Sequence, residues 1–233
     1  MRGVVLAEGV PVVERMLASR FVPHAIMGVS SKLARLDGLA PRVPRYAVTA
    51  ELMADVVGFH LNRGVLAAAH RPDPLDPARL LDDARTVVVV EGVNDHENLG
   101  SIFRNCAALG ADAVLFGPRC ADPLYRRAVR VSMGHVLLVP FAHLPPEATW
   151  LSALSGQGFR TVALTPSGET TVASALADRP ERVALLVGAE GPGLTAETLA
   201  AAHVRAAIPM SRGTDSLNVA TAAAVALYQR VQQ

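Results

Sequence analysis

The chain has 233 residues, of which 51% are hydrophobic, 18% are charged and 4% are aromatic, and its net charge is +1. This composition excludes a disordered chain, and the small net charge excludes the overall basic field of many nucleic-acid-binding proteins. Lys32 is the one lysine among the basic residues, so contact with a nucleic acid would depend on local arginine-rich patches.

The cysteine pattern and the hydropathy exclude several other classes. Cys106 and Cys120 lack Cys-x-x-Cys spacing, so we expect no bound metal and two reduced thiols. The amino terminus does not resemble a secretory signal, and no stretch approaches the ~20 apolar residues that a membrane-spanning helix needs. We therefore expect a cytoplasmic protein with no membrane partner.

The amino-terminal region alternates between short apolar runs and helical patterns. Apolar runs typical of strands lie at 4–7, 25–29, 46–48 and 64–68. Helical patterns lie at 12–17, at 32–36 behind Ser30 as N-cap, and at 51–57 behind Thr49 as N-cap. These elements predict a small α/β domain over residues 1–71.

A proline-rich segment follows this domain. Three prolines lie within residues 72–77, and prolines so close together favour a semi-rigid extended chain. We therefore predict a linker at 72–78 and a second domain at 79–233, and we expect the second domain to fold without the first.

The second domain continues the alternation over a longer stretch. Its predicted strands are 86–90, 113–116, 136–139, 159–164, 183–187 and 205–208. Its predicted helices are about 101–109, 124–131, 150–155, 196–202 and 219–227. Strands alternating with helices predict an α/β fold with a parallel sheet and helices on both faces. The last helix is apolar all round except at Thr221, which predicts burial on every side.

Two apolar runs end abruptly in glycine and polar residues, at 184–193 and at 206–219. Buried parallel strands end in this way where a ligand lies at the carboxyl edge of a sheet. Glycine at such a position lets the backbone approach a ligand closely. The sequence therefore predicts a binding site built from these two loops.

These loops and a third segment carry a family resemblance. Gly188-Ala189-Glu190-Gly191-Pro192-Gly193 resembles the second motif of the SpoU/TrmH RNA 2′-O-methyltransferases. Ile208-Pro209-Met210, followed by Ser216-Leu217-Asn218-Val219, resembles the third motif, and Asn98 to Asn105 resembles the first. One departure is visible, because Arg212 stands where the family usually has glycine, and Gly213 follows it.

The resemblance implies a fold, a cofactor and a partner. The fold is a parallel sheet whose carboxyl-terminal segment is threaded as a trefoil knot, an exception to the rule against knots. The cofactor is S-adenosylmethionine, and the acceptor is a ribose 2′-hydroxyl of RNA. The last helix is expected to form a homodimer whose active site borrows from both chains. The small domain, residues 1–71, is similar in pattern to ribosomal-protein-like domains of rRNA methyltransferases. This similarity implies an RNA-binding domain that contacts structured RNA through its backbone and shape, and it favours rRNA over tRNA.

The resemblance also assigns site residues. Arg104 is tied to activation of the hydroxyl, but a guanidinium is always protonated, so a grip on the adjacent phosphate is the preferred role. The other candidate catalytic residues are Asn98, Glu190, Ser216 and Asn218. Glu190 is a candidate for orienting Arg104 or the RNA. The candidate cofactor-binding residues are Gly188, Glu190, Gly191, Ile208, Met210, Leu217 and Asn218.

A positive patch follows the first motif. It consists of Arg119, Arg126, Arg127 and Arg130. These residues, together with Arg212, are the candidate RNA-binding residues, since phosphate clamps position RNA without reading its sequence. The alternative is a solvated helix face paired with acids.

Other functions stay open at this point. Methylation of tRNA and a drug-resistance rRNA methyltransferase are alternatives within enzymes. A non-catalytic RNA-binding or ribosome-assembly protein is the alternative from another class. The small domain could likewise be an appendage that aids only dimerisation or stability. The complete set of Asn98, Arg104, Glu190, Ser216 and Asn218 argues against the non-catalytic alternative.

Overall fold

The computed structural model describes residues 3–58, 61–145 and 149–232. Over these residues the chain folds into two compact units. The first unit contains residues up to Asp73 and also Pro123–Leu138, and the second contains Pro74–Asp122 and the residues from Val139 onward. The boundary after Asp73 falls within the predicted linker. The prediction that Pro123–Leu138 belongs to the second domain was wrong, because this segment packs with the first unit.

The first unit is built around a mixed sheet. Its elements from the amino-terminal region are β1 (Val4–Glu8), α1 (Val10–Leu17), β2 (Pro23–Gly28), α2 (Ser30–Leu33), a 3-10 turn (Ala34–Leu36), β3 (Arg45–Ala47), α3 (Ala50–Val57) and β4 (Val65–His70). In the described chain the strand order is β1-β4-β2-β3. β4 is antiparallel to β1 and β2, whereas β2 is parallel to β3.

The second unit holds a larger sheet. The remaining elements are α4 (Pro77–Leu81), β5 (Thr86–Glu91), α5 (His96–Ala108), β6 (Ala113–Phe116), α6 (Arg126–Val131), β7 (Phe141–His143), α7 (Thr149–Gly156), β8 (Arg160–Leu164), β9 (Thr170–Thr171), α8 (Val172–Ala175), β10 (Val183–Gly188), α9 (Ala196–Ala201), β11 (Val204–Ala207) and α10 (Val219–Val231). α6 lies in the first unit. Over the described residues the sheet order is β7-β6-β5-β10-β8-β11-β9, with every pair parallel.

The buried position of the central strands explains why their sequences are unbroken apolar runs. Every residue of β5 is buried, and so are all residues of β10 except Gly188. Strands covered on both faces read as unbroken apolar runs rather than alternating ones. Val87 and Val89 share a core with Leu151 and Leu154 of α7. The predicted α/β class with a parallel sheet is confirmed, while the knot stays a prediction from the resemblance.

Several predicted elements were wrong in position. Residues 136–139 do not form a strand: a 3-10 turn covers His135–Leu137, and the strand lies at β7. Met133 and Gly134, both with positive φ, redirect the chain before this turn. The short β9 and α8 were missed, because two-residue strands and four-residue helices carry too little periodicity to detect.

Helix starts follow capping side chains. α5 begins at His96, earlier than predicted, because Asp95 Oδ1 accepts hydrogen bonds from the backbone N–H groups of Glu97 and Asn98. α4 begins inside the predicted linker, where Asp76 caps it. Thr49 caps α3 as predicted, but Val29, not Ser30, is the N-cap residue of α2.

Within the single chain α10 is buried on one face only, and its burial on every side, for which the resemblance implies a homodimer partner, stays a prediction. Ala223, Ala226 and Leu227 are buried, whereas Val225 is 39% exposed and Tyr228 is 56% exposed. The helix therefore has one packed face and one apolar face open to solvent. Within the described ranges, no helix is both long enough and apolar enough to span a membrane.

Candidate active site

A cavity of about 490 Å³ lies in the second unit, beyond the carboxyl ends of β8, β10 and β11. Parallel strands deliver their following loops to one edge of the sheet, and these three strands are neighbours there. The lining residues are Leu164, Thr165, Pro166, Val187, Gly188, Ala189, Glu190, Gly191, Gly193, Ala206, Ile208, Met210, Ser216, Leu217, Asn218, Val219 and Ala222. The two predicted loops thus meet in one pocket.

Gly188 is required by the path of the loop that follows β10. A Cβ at this position would lie 2.2 Å from the backbone carbon of Gly193 and 2.2 Å from the nitrogen of Leu194. The loop folds back on the strand because Gly193 N donates a hydrogen bond to Ala189 O at 3.0 Å. Any side chain at 188 would force the pocket wall to move.

The pocket has apolar walls and a polar rim. Leu164, Val187 and Ile208 supply apolar surface, while Glu190 and Asn218 are exposed to solvent. Such a distribution suits an organic ligand with a flat apolar part and a charged or hydroxylated part. In the loop after β11, Gly213 has a φ of 85°, and the turn around it leaves Arg212 exposed.

Three motif side chains form one hydrogen-bonded cluster at the rim, the Asn98–Glu190–Asn218 cluster. Asn98 Nδ2 donates to Glu190 Oε1 at 3.0 Å. Asn218 Nδ2 donates to Asn98 Oδ1 at 2.7 Å and to Glu190 Oε1 at 2.8 Å. Because the three residues come from α5, the loop after β10 and the start of α10, the cluster ties the three motifs together.

Asn218 is also the N-cap of α10. Its Oδ1 accepts hydrogen bonds from the backbone N–H of Ala220 at 3.0 Å and of Thr221 at 3.2 Å. The side-chain carbonyl oxygen thus caps α10, and the side-chain amide nitrogen donates hydrogen bonds within the Asn98–Glu190–Asn218 cluster. α10 is held to α5 as well, since Asn105 Nδ2 donates to Ala220 O at 2.8 Å.

The structure places the predicted site residues in two groups. All the candidate cofactor-binding residues line the pocket, as does Ser216, and Asn98 reaches it through Glu190. Arg104 is exposed on α5 and is not among the lining residues. The hydrogen-bond partners of Glu190 in the described chain are Asn98 and Asn218, so the structure does not show Glu190 orienting Arg104.

The predicted positive patch is divided. Arg119 lies in the second unit, whereas Arg126, Arg127 and Arg130 lie in the first. The Arg119 guanidinium is 3.6 Å from the carboxylate of Glu91, and that of Arg126 is 3.2 Å from that of Glu8. Both of these carboxylates are buried. These two arginines therefore have structural partners, and an RNA-binding role for the set stays a prediction.

Sequence reasoning missed a third pocket loop and a buried acid. The loop 164–168 follows β8, and a Cβ on Gly168 would lie 2.4 Å from the backbone of Ala206 and Ala207. Its Thr165-Pro166-Ser167-Gly168 sequence has the same strand-to-polar-loop form as the loops that were predicted. Glu91, at the end of β5, accepts a hydrogen bond from Thr198 Oγ1 at 2.7 Å. The position of Glu91 directly after the apolar run 86–90 was the signal in the sequence that could have identified this acid.

The parallel sheet and its loop-built pocket define an α/β protein that holds an organic ligand at the carboxyl edge of the strands. A sequence profile of the SpoU rRNA Methylase family matches residues 85–228, and the chain belongs to this family. The matched region contains Asn98, Arg104, Glu190 and Asn218.

Individual relatives extend the similarity beyond the matched region. An uncharacterized tRNA/rRNA methyltransferase of Mycobacterium bovis is 60% identical over 99% of this chain and 82% of its own length. A 23S rRNA (guanosine(2553)-2′-O)-methyltransferase of Bacillus subtilis is 27% identical over 96% of this chain and 86% of its own. The crystal structure of the SpoU methyltransferase AviRb from Streptomyces viridochromogenes, in complex with the cofactor AdoMet, is 24% identical. It covers 99% of this chain and 90% of that one with a TM-score of 0.83.

Proposed function

We propose that this protein transfers a methyl group from S-adenosylmethionine to a ribose 2′-hydroxyl of RNA, with rRNA as the substrate. The observation that carries the proposal is the Asn98–Glu190–Asn218 cluster, which joins all three family motifs at the rim of the pocket. The names of the Mycobacterium bovis and Bacillus subtilis relatives agree with RNA methylation, and the latter with a 2′-O product in 23S rRNA.

The pocket fits the cofactor in size and chemistry. A volume of about 490 Å³ lies within the roughly 300–1,000 Å³ of small-molecule sites. Gly188 lets the loop after β10 pack directly on the strand and so shapes the pocket wall, and Ile208, Met210 and Leu217 offer apolar and backbone surface to an adenosine. S-adenosylmethionine, when bound, supplies a methyl group already activated by its sulfonium.

The residues of the chain then have to position the acceptor and stabilise charge. Transfer would join the ribose oxygen to the methyl carbon with the sulfur as leaving group, so the chain has to hold the 2′-hydroxyl in line and let its proton pass to water. A fixed geometry lowers the barrier by removing the entropy of encounter. Arg104 grips the phosphate next to the acceptor and stabilises the negative charge that develops on the oxygen. The hydrogen-bonded cluster holds the loops against which the ribose lies.

The assembly that we propose is a homodimer through α10. The exposed apolar face with Val225 and Tyr228 needs a cover, and Arg104 lies outside the pocket of its own chain. Two copies packed along α10 would let each site draw on both chains. The protein would act in the cytoplasm. Light scattering during gel filtration measures the mass: twice the chain mass of 24.5 kDa is expected, and a monomer under methylation conditions would refute this assembly.

Mapping of ribose methylation in cells tests the proposed substrate. Total RNA from a strain lacking the gene is compared with RNA from the same strain carrying the wild-type gene or Arg104→Ala. We expect one or a few 2′-O-methyl sites in rRNA that depend on the wild-type gene and are absent with the variant. Dependent sites in tRNA alone would replace rRNA as the substrate, and no dependent ribose site in any RNA would refute the proposal.

A further inference from the structure

One edge of the sheet in the first unit collects the ends of three strands. Because β4 is antiparallel to β1 and β2, its amino end meets their carboxyl ends. Backbone hydrogen bonds fix this arrangement: Gly9 N donates to Val65 O at 2.9 Å, and Val29 N donates to Gly64 O at 3.0 Å. The edge is therefore hydrogen-bonded into the sheet rather than a free loop.

Two basic side chains are packed against bare glycine backbone at this edge. A Cβ on Gly9 would lie 2.9 Å from Arg63 Cδ, and a Cβ on Gly64 would lie 3.2 Å from Lys32 Cγ. Both glycines have positive φ, 92° and 68°. The aliphatic stems of Arg63 and Lys32 thus rest on the main chain, which orders these two half-buried side chains.

The charged groups of Lys32 and Arg63 have no ion-pair partner in the part of the chain that the structure describes. Within residues 3–58, 61–145 and 149–232, neither Arg63 nor Lys32 forms a hydrogen bond or an ion pair with another side chain. The nearby acid at the end of β1, Glu8, is buried and already pairs with Arg126 at 3.2 Å. The chain places its one lysine here. Lys32 and Arg63 thus bring two cationic side chains to one edge of a protein whose net charge is only +1.

We propose that this Lys32–Arg63 edge binds phosphates of the RNA substrate, an inference that rests on the proposed function. An arginine fork in the turn before β4 and a lysine point charge on α2 suit phosphates of an RNA backbone. The glycines between them let the backbone approach closely, and the hydroxyls of Ser30 and Ser31 are exposed beside Lys32. Such contacts fix the position of the RNA and leave its sequence unread.

Salt-dependent binding by the full-length protein tests the edge. The variants are Lys32→Gln, Arg63→Gln and the double variant. The matched control is Arg42→Gln, an exposed arginine that precedes β3 and so lies at the opposite end of the strands. The probes are in vitro transcripts of 23S rRNA and total tRNA, and the comparison uses whichever the wild type binds more tightly.

We expect each single variant to weaken RNA binding several-fold at low salt and to reduce the slope of log K against log salt by about 1. The double variant should lose about 2 from the slope, and Arg42→Gln should match the wild type. Circular dichroism and S-adenosylmethionine affinity check that the variants are folded. Folded variants that bind RNA with the affinity and slope of Arg42→Gln would overturn the proposal, and so would a wild type that binds neither RNA.

Chemical labelling gives a second test, because Lys32 is the one lysine in the chain. The wild-type protein is acetylated with an amine-reactive reagent with and without RNA, and the Lys32 peptide is followed by mass spectrometry. RNA should slow acetylation of Lys32 several-fold, and salt that releases the RNA should restore the rate. Equal rates with and without bound RNA would contradict contact at this edge.

The outcomes separate this inference from the proposed function. Nucleoside analysis of the RNA reports ribose methylation independently of binding. If the wild type makes 2′-O-methylnucleosides while the Lys32 and Arg63 variants bind RNA normally, the edge inference alone is wrong. If the wild type makes none, the proposed function is wrong, and the salt slopes still decide whether this edge binds RNA.

Discussion

At the scale of single residues, Asn218 shows how one side chain serves two purposes. Its carbonyl oxygen caps α10, while its amide group donates to Asn98 and to Glu190. The motif identified Asn218 as a site residue, but the sequence could not show this division of labour. Side-chain hydrogen bonds between residues 28 and 120 positions apart depend on the folded arrangement of the loops.

The variant Asn218→Asp should separate the two roles. A carboxylate can still cap the helix, but it cannot donate to Asn98, and it places a second negative charge beside Glu190. Since hydrogen bonds to charged groups contribute about 1.5–3 kcal/mol, we expect cofactor affinity to fall about tenfold or more, with thermal stability close to wild type. Asn218→Ala should lose the cofactor and, in addition, about 1 kcal/mol of stability. Calorimetry and urea unfolding measure the two effects; wild-type cofactor affinity in Asn218→Asp would refute the role of the cluster.

Arg104 is exposed and outside the pocket of its own chain, so its loss should spare the cofactor. We expect Arg104→Ala to lower the rate of methyl transfer roughly 10²–10³-fold with nearly unchanged cofactor affinity. Arg104→Lys should restore little, because a point charge does not replace the planar fork. Single-turnover kinetics and calorimetry measure both quantities, with Arg79→Ala, at an 88% exposed side chain, as control. If cofactor affinity and the rate of methyl transfer fell together, Arg104 would be a residue that binds the cofactor or supports the structure.

At the scale of elements, the buried strands were the most predictable part of the fold. β5, β6 and β10 are unbroken apolar runs, and their predicted limits lie within a residue of the observed ones. The start of α5 was not predicted, because polar Asn98 sits in the first helical turn behind the cap at Asp95. The pocket loops were recognised from their glycines, but only the folded structure shows that Gly188 and Gly168 lie where two backbone segments touch.

Gly188→Ala should damage the pocket while leaving the sheet intact. The added Cβ would meet backbone atoms of Gly193 and Leu194 at 2.2 Å, and backbone cannot move aside as a flexible side chain can. We expect cofactor affinity to fall at least about tenfold, equivalent to ~1.4 kcal/mol. Gly156→Ala is the matched control, because nothing lies within 4 Å of its added Cβ. Calorimetry measures the cofactor affinity of both variants. Equal affinities would contradict the close backbone contact of Gly188 with Gly193 and Leu194.

The segment Pro123–Leu138 was assigned to the wrong unit by its position in the sequence. Arg15 Nη1 donates to Met133 O at 2.7 Å, and a Cβ on Gly134 would lie 3.1 Å from Val12 Cγ1. Residues after Asp76, if expressed alone, would therefore lack the surface against which this segment packs. For that reason we expect Pro123–Leu138 to lose its packing when the residues after Asp76 are expressed without the first unit.

Arg126→Ala should destabilise the first unit, because it removes the arginine that forms an ion pair at 3.2 Å with the buried carboxylate of Glu8. Loss of one partner of a buried pair costs about 3 kcal/mol. Replacing both residues, as in Glu8→Leu with Arg126→Leu, should recover most of that loss, since an apolar pair carries no desolvation penalty. Urea unfolding measures the free energies, with Arg42→Ala as control. A change below about 0.5 kcal/mol in Arg126→Ala would show that the pair is not structural.

At the scale of the whole molecule, the sequence predicted the α/β class, the family and a boundary in the proline-rich segment, but not the place of Pro123–Leu138. Family motifs are short and local, so they can be read directly from the sequence. The membership of Pro123–Leu138 in the first unit depends on packing between distant parts of the chain, which no local pattern encodes. The open face of α10 was hidden for a similar reason, since an apolar helix does not show whether its cover lies in the same chain.

Alkaline pH should expose a dependence of whole-molecule stability on Cys106. Burial raises the pKa of the Cys106 thiol from 9.0 to about 12, so the unfolded chain ionises this thiol first. The stabilising term is complete below pH 9 and is lost as the pH rises towards 12, by about 1.4 kcal/mol per pH unit. Urea unfolding between pH 8 and 10.5 should show a shallower decline for Cys106→Ala than for the wild type. Identical slopes would show that the thiol is not sequestered.

The central claim is that the pocket and the three joined motifs catalyse methylation of a ribose oxygen. The most direct measurement incubates the purified protein with S-adenosylmethionine carrying a labelled methyl group and with unmethylated rRNA, and then identifies the labelled nucleoside by mass spectrometry. The label should appear in a single 2′-O-methylnucleoside, in an internucleotide bond that resists alkaline hydrolysis, and it should be absent with Arg104→Ala. Label on a base, or no transfer to RNA by a protein that binds the cofactor, would contradict it.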